Sequence, residues 1–236
     1  MQIYQAQLIQ RIKRTPTVKS FRFRLEKKID FIPGQFLKII FDEKDINNKD
    51  LNKYLSFSCS PGLDYIEVTK RLSQSIFSQR LKDLSYNQFI SIQAPLGTCV
   101  FRDEYKKVAF LIGGIGITPV ISIIEYIVIK NIDCDVYLFY SNRNEEEIAF
   151  KQELDNWRTG NKNIKIIYTV TDAKPVNPDC RFCRIDKELL MDNLADINER
   201  IFFIFGPPKM VEAMKVLVED LGCPKDNLKT ESFLGY

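Results

Sequence analysis

The chain of 236 residues contains no histidine. That absence excludes Ser-His-Asp and Cys-His catalysis and any zinc site built on imidazole. A long apolar run is missing too. The best candidate, Val108 to Ile129, is broken by Gly113, Gly114, Gly116, Pro119 and Glu125, so nothing reaches the roughly 18 residues of a membrane span. The opening Met1-Gln2-Ile3-Tyr4-Gln5-Ala6-Gln7 carries no signal-peptide apolar region. Charge is balanced: 34 basic residues against 31 acidic leave +3, scattered without basic runs, which argues against a nucleic-acid partner. Six cysteines with no export signal are expected as reduced thiols, in a cytoplasmic protein with no integral membrane segment. Without imidazole, function must rest on carboxylates, thiols, amines, hydroxyls or a bound cofactor, and hydride transfer through a cofactor fits.

What the chain does have is a glycine turn between a strand and a helix. Val108-Ala109-Phe110-Leu111-Ile112 reads as a buried strand, Gly113-Gly114-Ile115-Gly116-Ile117-Thr118-Pro119 as the turn, and Val120 to Val128 as a core helix. Glycines let the backbone turn sharply and a ligand come close, and a helix start offers free N–H groups to a phosphate. Thr118 is expected to cap the helix and Pro119 to open it. The spacing G-G-x-G differs from the G-x-G-x-x-G dinucleotide fingerprint, so the pattern alone leaves a plain strand–helix turn open.

The chain changes character near Tyr105. Before it, Ile3–Ile12, Val18–Leu25, Phe36–Phe41, Tyr54–Cys59, Tyr65–Lys70 and Phe89–Gln93 read as six short strands separated by turn signals, with one helix over Ser75–Leu84. After it, strands at Val108–Ile112, Val136–Tyr140, Ile164–Thr169 and Ile201–Phe205 alternate with helices at Pro119–Lys130, Glu146–Arg158, Lys187–Asp192 and Lys209–Leu221, with a loop over Ala173–Arg181. Alternation of this kind implies a parallel sheet with helices on both faces. The expected fold is an N-terminal antiparallel barrel over 1–104 and a C-terminal α/β nucleotide-binding domain over 105–236.

Several short motifs follow one another in order: Ile32-Pro33-Gly34-Gln35-Phe36, Lys53-Tyr54-Leu55-Ser56, Ser75-Ile76-Phe77-Ser78, Ala94-Pro95-Leu96-Gly97, the glycine turn, Tyr140-Ser141-Asn142-Arg143, Gly206-Pro207-Pro208-Lys209-Met210, and the closing Glu231-Ser232-Phe233-Leu234-Gly235-Tyr236. In that order they resemble the ferredoxin–NADP reductase superfamily across nearly the whole chain. The resemblance implies a Greek-key flavin-binding barrel, FAD with NADPH or NADH, and hydride passage from nicotinamide to flavin. An acceptor such as ferredoxin, flavodoxin or an oxygenase component would then take the electrons.

The resemblance also implies roles for residues. Lys53 stands where the family carries an arginine that holds a flavin phosphate; lysine keeps the charge but loses the planar fork. Leu55 replaces an aromatic that packs on the flavin ring, Ser56 keeps the hydroxyl near flavin N5, and Tyr54 lies between Lys53 and Leu55. Val68 and Lys70 precede the flavin-phosphate turn Ser75-Ile76-Phe77-Ser78, where a plain helix cap is the alternative. Gly114, Gly116, Thr118 and Pro119 would face the nicotinamide cofactor. Ser141 and Arg143 lie where ribose-side selectivity is set, and an arginine there can meet a 2′-phosphate. The neighbouring Glu145, Glu146 and Glu147 read as helix-start acids. Gly206, Pro207 and Met210 follow the fourth strand of the α/β domain, with Phe205 where many relatives carry a cysteine. Tyr236 is expected to cover the flavin, or else to fray, and Glu231 to lie near the same ring, so Ser56, Glu231 and Tyr236 are the residues expected at the reacting atoms. Cys180-Arg181-Phe182-Cys183 is a lone C-x-x-C, read as two surface thiols, with a redox or metal role as the alternative. Two other readings share the sequence: an electron-transfer subunit of a larger complex without its own turnover, and a non-redox binding module.

Overall fold

The computed structural model describes residues 2–86 and 88–233. Its chain divides into two compact units, Met1–Phe101 with Thr118–Ile129, and Arg102–Ile117 with Lys130–Tyr236.

The first unit holds six antiparallel strands: β1 (Gln2–Lys13), β2 (Val18–Leu25), β3 (Phe36–Ile40), β4 (Asn52–Ser56), β5 (Ile66–Arg71) and β6 (Phe89–Leu96). Their order across the sheet is β4-β3-β6-β1-β2-β5. The sheet curls toward a barrel but does not close. Its two edge strands, β4 and β5, do not pair along their length; the chain just past β4 meets β5 through an isolated bridge from Phe57 to Val68 and a bond from the Ser58 amide to the Glu67 carbonyl. Register shifts between Leu8 and Gln10 in β1 and between Phe36 and Lys38 in β3 mark where the strands bend.

Alternation decides what goes inside. Leu8, Phe21, Phe23, Leu37, Ile39, Val68 and Ile92 turn to one face and form the core, which Phe77, Leu81 and Leu84 of the segment around helix α1 (Ile76–Asp83) complete. On β2 and β5 the opposite face is polar yet equally buried. Glu67, 2 % exposed, accepts from Arg14 at 3.0 Å and from Arg22 at 2.7 Å. Hydroxyls of Ser20, Thr69 and Ser58 join the network at 2.6 and 2.7 Å. A buried carboxylate is tolerated because two guanidiniums neutralise it. Helix α2 (Ile117–Lys130) places its residues Thr118–Ile129 with this unit, where Tyr126 meets Phe101 edge-on.

The second unit is a parallel sheet of β7 (Lys107–Gly113), β8 (Asp135–Asn142), β9 (Ile164–Val170), β10 (Cys180–Phe182), β11 (Ile201–Gly206) and β12 (Leu228–Ser232), ordered β10-β9-β8-β7-β11-β12. Its central strands read as unbroken apolar runs because both faces are covered. Helices α3 (Lys151–Gly160), α4 (Lys187–Asn193) and α5 (Pro208–Asp220) accompany it, and Leu189, Leu190, Val211, Met214 and Val218 pack into a core with Ala109, Leu111, Phe139, Phe202 and Ile204.

Three local expectations differ from the structure. Strands β10 and β12 lie at the sheet edges, where a strand needs backbone pairing but little apolar surface; Leu-Lys-Thr-Glu-Ser carries no apolar pattern. Helix α3 begins at Lys151 rather than Glu146, because Phe150 adopts φ +61°, which ends any continuous helix from the preceding 3-10 turn over Glu145–Glu147. Thr118 does not cap α2: a 3-10 turn over Gly114–Gly116 runs directly into the helix at Ile117, which puts Thr118 inside the first turn.

Candidate cofactor sites

The open seam between β4 and β5 concentrates the first set of expected residues. Lys53 pairs with Ile39 and Leu55 with Leu37 across the β3–β4 ladder, so both project to the core face, and Leu55 packs on the core. On the other edge Val68 is in the core and Lys70 lies two residues further along the same face, its ammonium 5.8 Å from the Phe77 ring. Burial, and then the nearby Lys53 charge, hold the Lys70 ammonium below its ordinary pKa. Neither lysine has a carboxylate partner among the described residues. Two like charges converging without a counter-ion make a site that an anion completes.

Helix α1 starts beside them. Ser75 is its N-cap: the Ser75 hydroxyl accepts from the Ser78 amide at 3.3 Å, and the hydroxyls of Ser73, Ser75 and Ser78 lie within 3.0–3.2 Å of one another. The cap leaves the Ile76 and Phe77 amides at the helix start without intrahelical acceptors, so it is compatible with an anion there. Strand alternation separates the other motif residues. Tyr54 projects away from the seam, 60 % exposed, edge-on to Phe36 and 5.2 Å from the Lys38 ammonium, and Ser56 is buried on that same side of β4. The donor set fits a flavin diphosphate: two unpaired ammoniums, a serine cluster and a helix start on one seam.

In the second unit the carboxyl ends of the parallel strands gather the glycine residues. A Cβ on Gly116 would lie 2.5 Å from the Phe205 carbonyl oxygen and 3.0 Å from the Gly206 amide nitrogen. Only glycine allows this backbone-to-backbone approach of the turn to β11. Gly113 lies against the Met210 sulfur and Pro207, and Gly206 backs onto Gly113 in turn. Ser141 pairs with Gly113 at the end of β8. Arg143 is exposed just beyond, its carbonyl accepting from the Asp172 amide at 2.9 Å. Gly114 opens the 3-10 turn. Thr118 and Pro119 lie in the segment that packs with the first unit. The arrangement is a small-residue floor under a strand–turn–helix, which suits a dinucleotide.

Glu231 is on β12, opposite Phe205, with Oε2 unpartnered among the described residues. Burial raises its carboxyl pKa above the ordinary range. The folded chain thus holds that proton more tightly than the unfolded chain. Stability from this group is present below the unfolded pKa and lost as pH rises through the folded one. Glu231→Gln is expected to raise Tm by about 2 °C at pH 8, with the gain vanishing near pH 4, in a pair of calorimetric scans. Tyr236 lies outside the described residues.

Other groups were not legible beforehand. Glu145 does more than start a turn: its two carboxylate oxygens accept the Val176 and Asn177 amides at 3.0 and 2.9 Å and strap the loop after β9. Glu125 of α2 accepts the Ser60 amide at 2.5 Å. Long-range contacts of this kind leave no spacing signal. Cys180, expected at the surface, is buried at the first position of edge strand β10, and Cys183, just past that strand, is partly buried against the core shared with α4 and α5. Among the described residues no cluster of metal-ligating side chains occurs, and no helix is long and apolar enough to cross a membrane.

Comparison with known proteins gives the family. Residues 5–101 match the oxidoreductase FAD-binding domain and residues 110–216 the oxidoreductase NAD-binding domain. The chain belongs to the ferredoxin–NADP reductase superfamily. Among its relatives, NADH-cytochrome b5 reductase 1 of Mortierella alpina is 28 % identical over 93 % of this chain and 75 % of its own length. A terephthalate 1,2-dioxygenase reductase component of a Comamonas species is 21 % identical over 92 % of this chain, which spans 64 % of that relative. The fold matches a Neisseria gonorrhoeae ferredoxin NADP+ reductase, solved with bound FAD and NADP, at TM-score 0.82 and 21 % identity over 98 % of this chain and 99 % of that one. This superfamily member is an NAD(P)H-dependent flavin oxidoreductase whose cofactors are FAD and NADH or NADPH.

Proposed function

We propose that this protein is a reductase that draws hydride from NADH or NADPH onto FAD and delivers the electrons to a separate protein: a ferredoxin, a flavodoxin or an oxygenase component. The observation that carries this reading is the pair of lysines, Lys53 and Lys70, held without counter-ions on the open β4–β5 seam. The chemistry that FAD supplies when bound is acceptance of a hydride from reduced nicotinamide and release of electrons to an acceptor. The chain's own residues bind and align. Lys53, Lys70 and the start of α1 would hold the diphosphate, and Leu55 would offer an apolar surface. Gly113, Gly116 and Gly206 would let the dinucleotide approach the backbone, with Ser141 and Arg143 on its ribose side. No side chain is required to abstract a proton, which agrees with the absence of histidine. The relatives' names support a protein acceptor, since they pair reductases of this kind with cytochrome b5 and with a dioxygenase.

The test is anaerobic stopped-flow mixing of FAD-loaded protein with NADH and NADPH in parallel, followed by oxidised ferredoxin, flavodoxin and an oxygenase component. Bleaching of the flavin band by one dinucleotide, and its recovery on adding one protein acceptor, is expected. Protein that stays colourless after incubation with FAD refutes the reading.

A further inference from the structure

Helix α2, Ile-Thr-Pro-Val-Ile-Ser-Ile-Ile-Glu-Tyr-Ile-Val-Ile-Lys, is almost wholly apolar, with Val120, Ile123, Ile124 and Ile127 fully buried. Its polar residues Thr118, Ser122 and Glu125 recur at intervals of four and three and so share one face. Burying a carboxylate on such a helix is unfavourable unless a specific contact offsets it. Glu125 has that contact: its Oε2 accepts the backbone N–H of Ser60, which is itself fully buried.

Ser60 ends a segment that needs anchoring. Beyond Ser56 the chain leaves the β3–β4 ladder and runs along β5 through the Phe57–Val68 bridge and the contacts of Ser58 and Cys59 with Glu67 and Thr69. Separate bonds hold it: Phe57 N–H to the Gln35 carbonyl at 3.1 Å, Ser58 N–H to the Glu67 carbonyl at 2.8 Å, and Ser60 N–H to Glu125. Glu67, Arg14, Arg22, Tyr65 and Cys59 make up the charged and titratable surroundings of that carboxylate. A charge-assisted bond is the strong member of such a set.

We infer that Glu125 is a positioning residue for the flavin: by pinning Ser60 it fixes the exit of β4, and with it the gap between β4 and β5 into which Lys53, Leu55, Val68 and Lys70 project. The inference rests on the flavin reading of that seam. It assigns to a helix opened by the dinucleotide turn a role in shaping the flavin site.

The experiment compares wild type, Glu125→Ala and Glu125→Gln by three measurements: amide hydrogen exchange at Ser60 in the flavin-free protein, FAD affinity by fluorescence titration, and steady-state kinetics. Glu125→Ala is expected to lose about tenfold of Ser60 protection and about tenfold of FAD affinity, with KM for the dinucleotide unchanged, as for loss of one charge-assisted bond. Glu125→Gln keeps an acceptor oxygen and is expected to restore most of both. Should the alanine variant fail to fold, Glu125→Asp, one methylene shorter, gives the same comparison. Wild-type FAD affinity in the alanine or aspartate variant overturns the inference, as does a glutamine variant as defective as alanine. Wild-type protein that binds no FAD refutes the reductase reading instead, and the exchange at Ser60 still reports on the anchor.

Discussion

Gly116→Val is expected to lower kcat/KM for reduction by NADH or NADPH by about 100-fold or more while FAD stays bound. The warrant is steric. The first added carbon would fall 2.5 Å from the Phe205 carbonyl oxygen and 2.7 Å from its carbon, and the atoms it meets are backbone atoms of a central strand. A flexible side chain could swing aside; β11 cannot, because it pairs with β7 on one side and β12 on the other. The turn must therefore move away from the strand ends, and overpacking of this kind costs about 1–3 kcal/mol, which at its upper end is the stated factor. Stopped-flow bleaching and the flavin absorption spectrum measure the two halves of the prediction separately. Gly62→Ala is the control for glycine replacement as such. Gly62 has nothing near its missing Cβ, but it adopts φ +93°, so its replacement is expected to cost stability without touching the dinucleotide rate. Wild-type reduction by the Gly116→Val protein would mean that the turn does not carry the dinucleotide.

How far the sequence foretold this depends on what held each element in place. The strands of the first unit and the central strands of the second were legible because burial on one face or both leaves a periodic trace: Phe21 and Phe23 alternate, and Val108 to Ile112 run unbroken. Strands β10 and β12 left no trace, since an edge strand is specified by the neighbour it pairs with. The glycine turn was legible as a turn, but Thr118 was misassigned as a cap because local propensity cannot see a 3-10 turn feeding the helix early. Within the flavin motif the sequence offered residue types and no side-chain directions. Lys53 and Leu55 share the core face of β4 while Tyr54 takes the other face, which follows from the β3–β4 register and from no property of the motif alone. The contacts made by Glu125 and Glu145 join residues 65 and about 31 positions apart, where one sequence offers no signal at all.

Lys53 and Lys70 together carry the second large effect. The double variant Lys53→Ala/Lys70→Ala is expected to weaken FAD binding by at least about 100-fold. A hydrogen bond to a charged group contributes about 1.5–3 kcal/mol, so each lysine is worth roughly one to two powers of ten, and the two lie in each other's field. That mutual repulsion makes the double variant's loss exceed the sum of the two single losses. With Lys53 gone, one cause of the lowered Lys70 pKa disappears, and the remaining ammonium faces an anion without a neighbouring like charge. Either single variant should therefore lose less than half of the double variant's free energy. Lys53→Arg tests the geometry from the other side. It restores the planar fork that lysine lacks, and affinity is expected to rise severalfold if the group held is a phosphate. Isothermal titration at two salt concentrations completes the argument, because a site built on two ammoniums must lose affinity with ionic strength, and the double variant must lose that dependence. A double variant that binds FAD like wild type would place the diphosphate elsewhere and leave the unpaired lysines of the seam without a ligand.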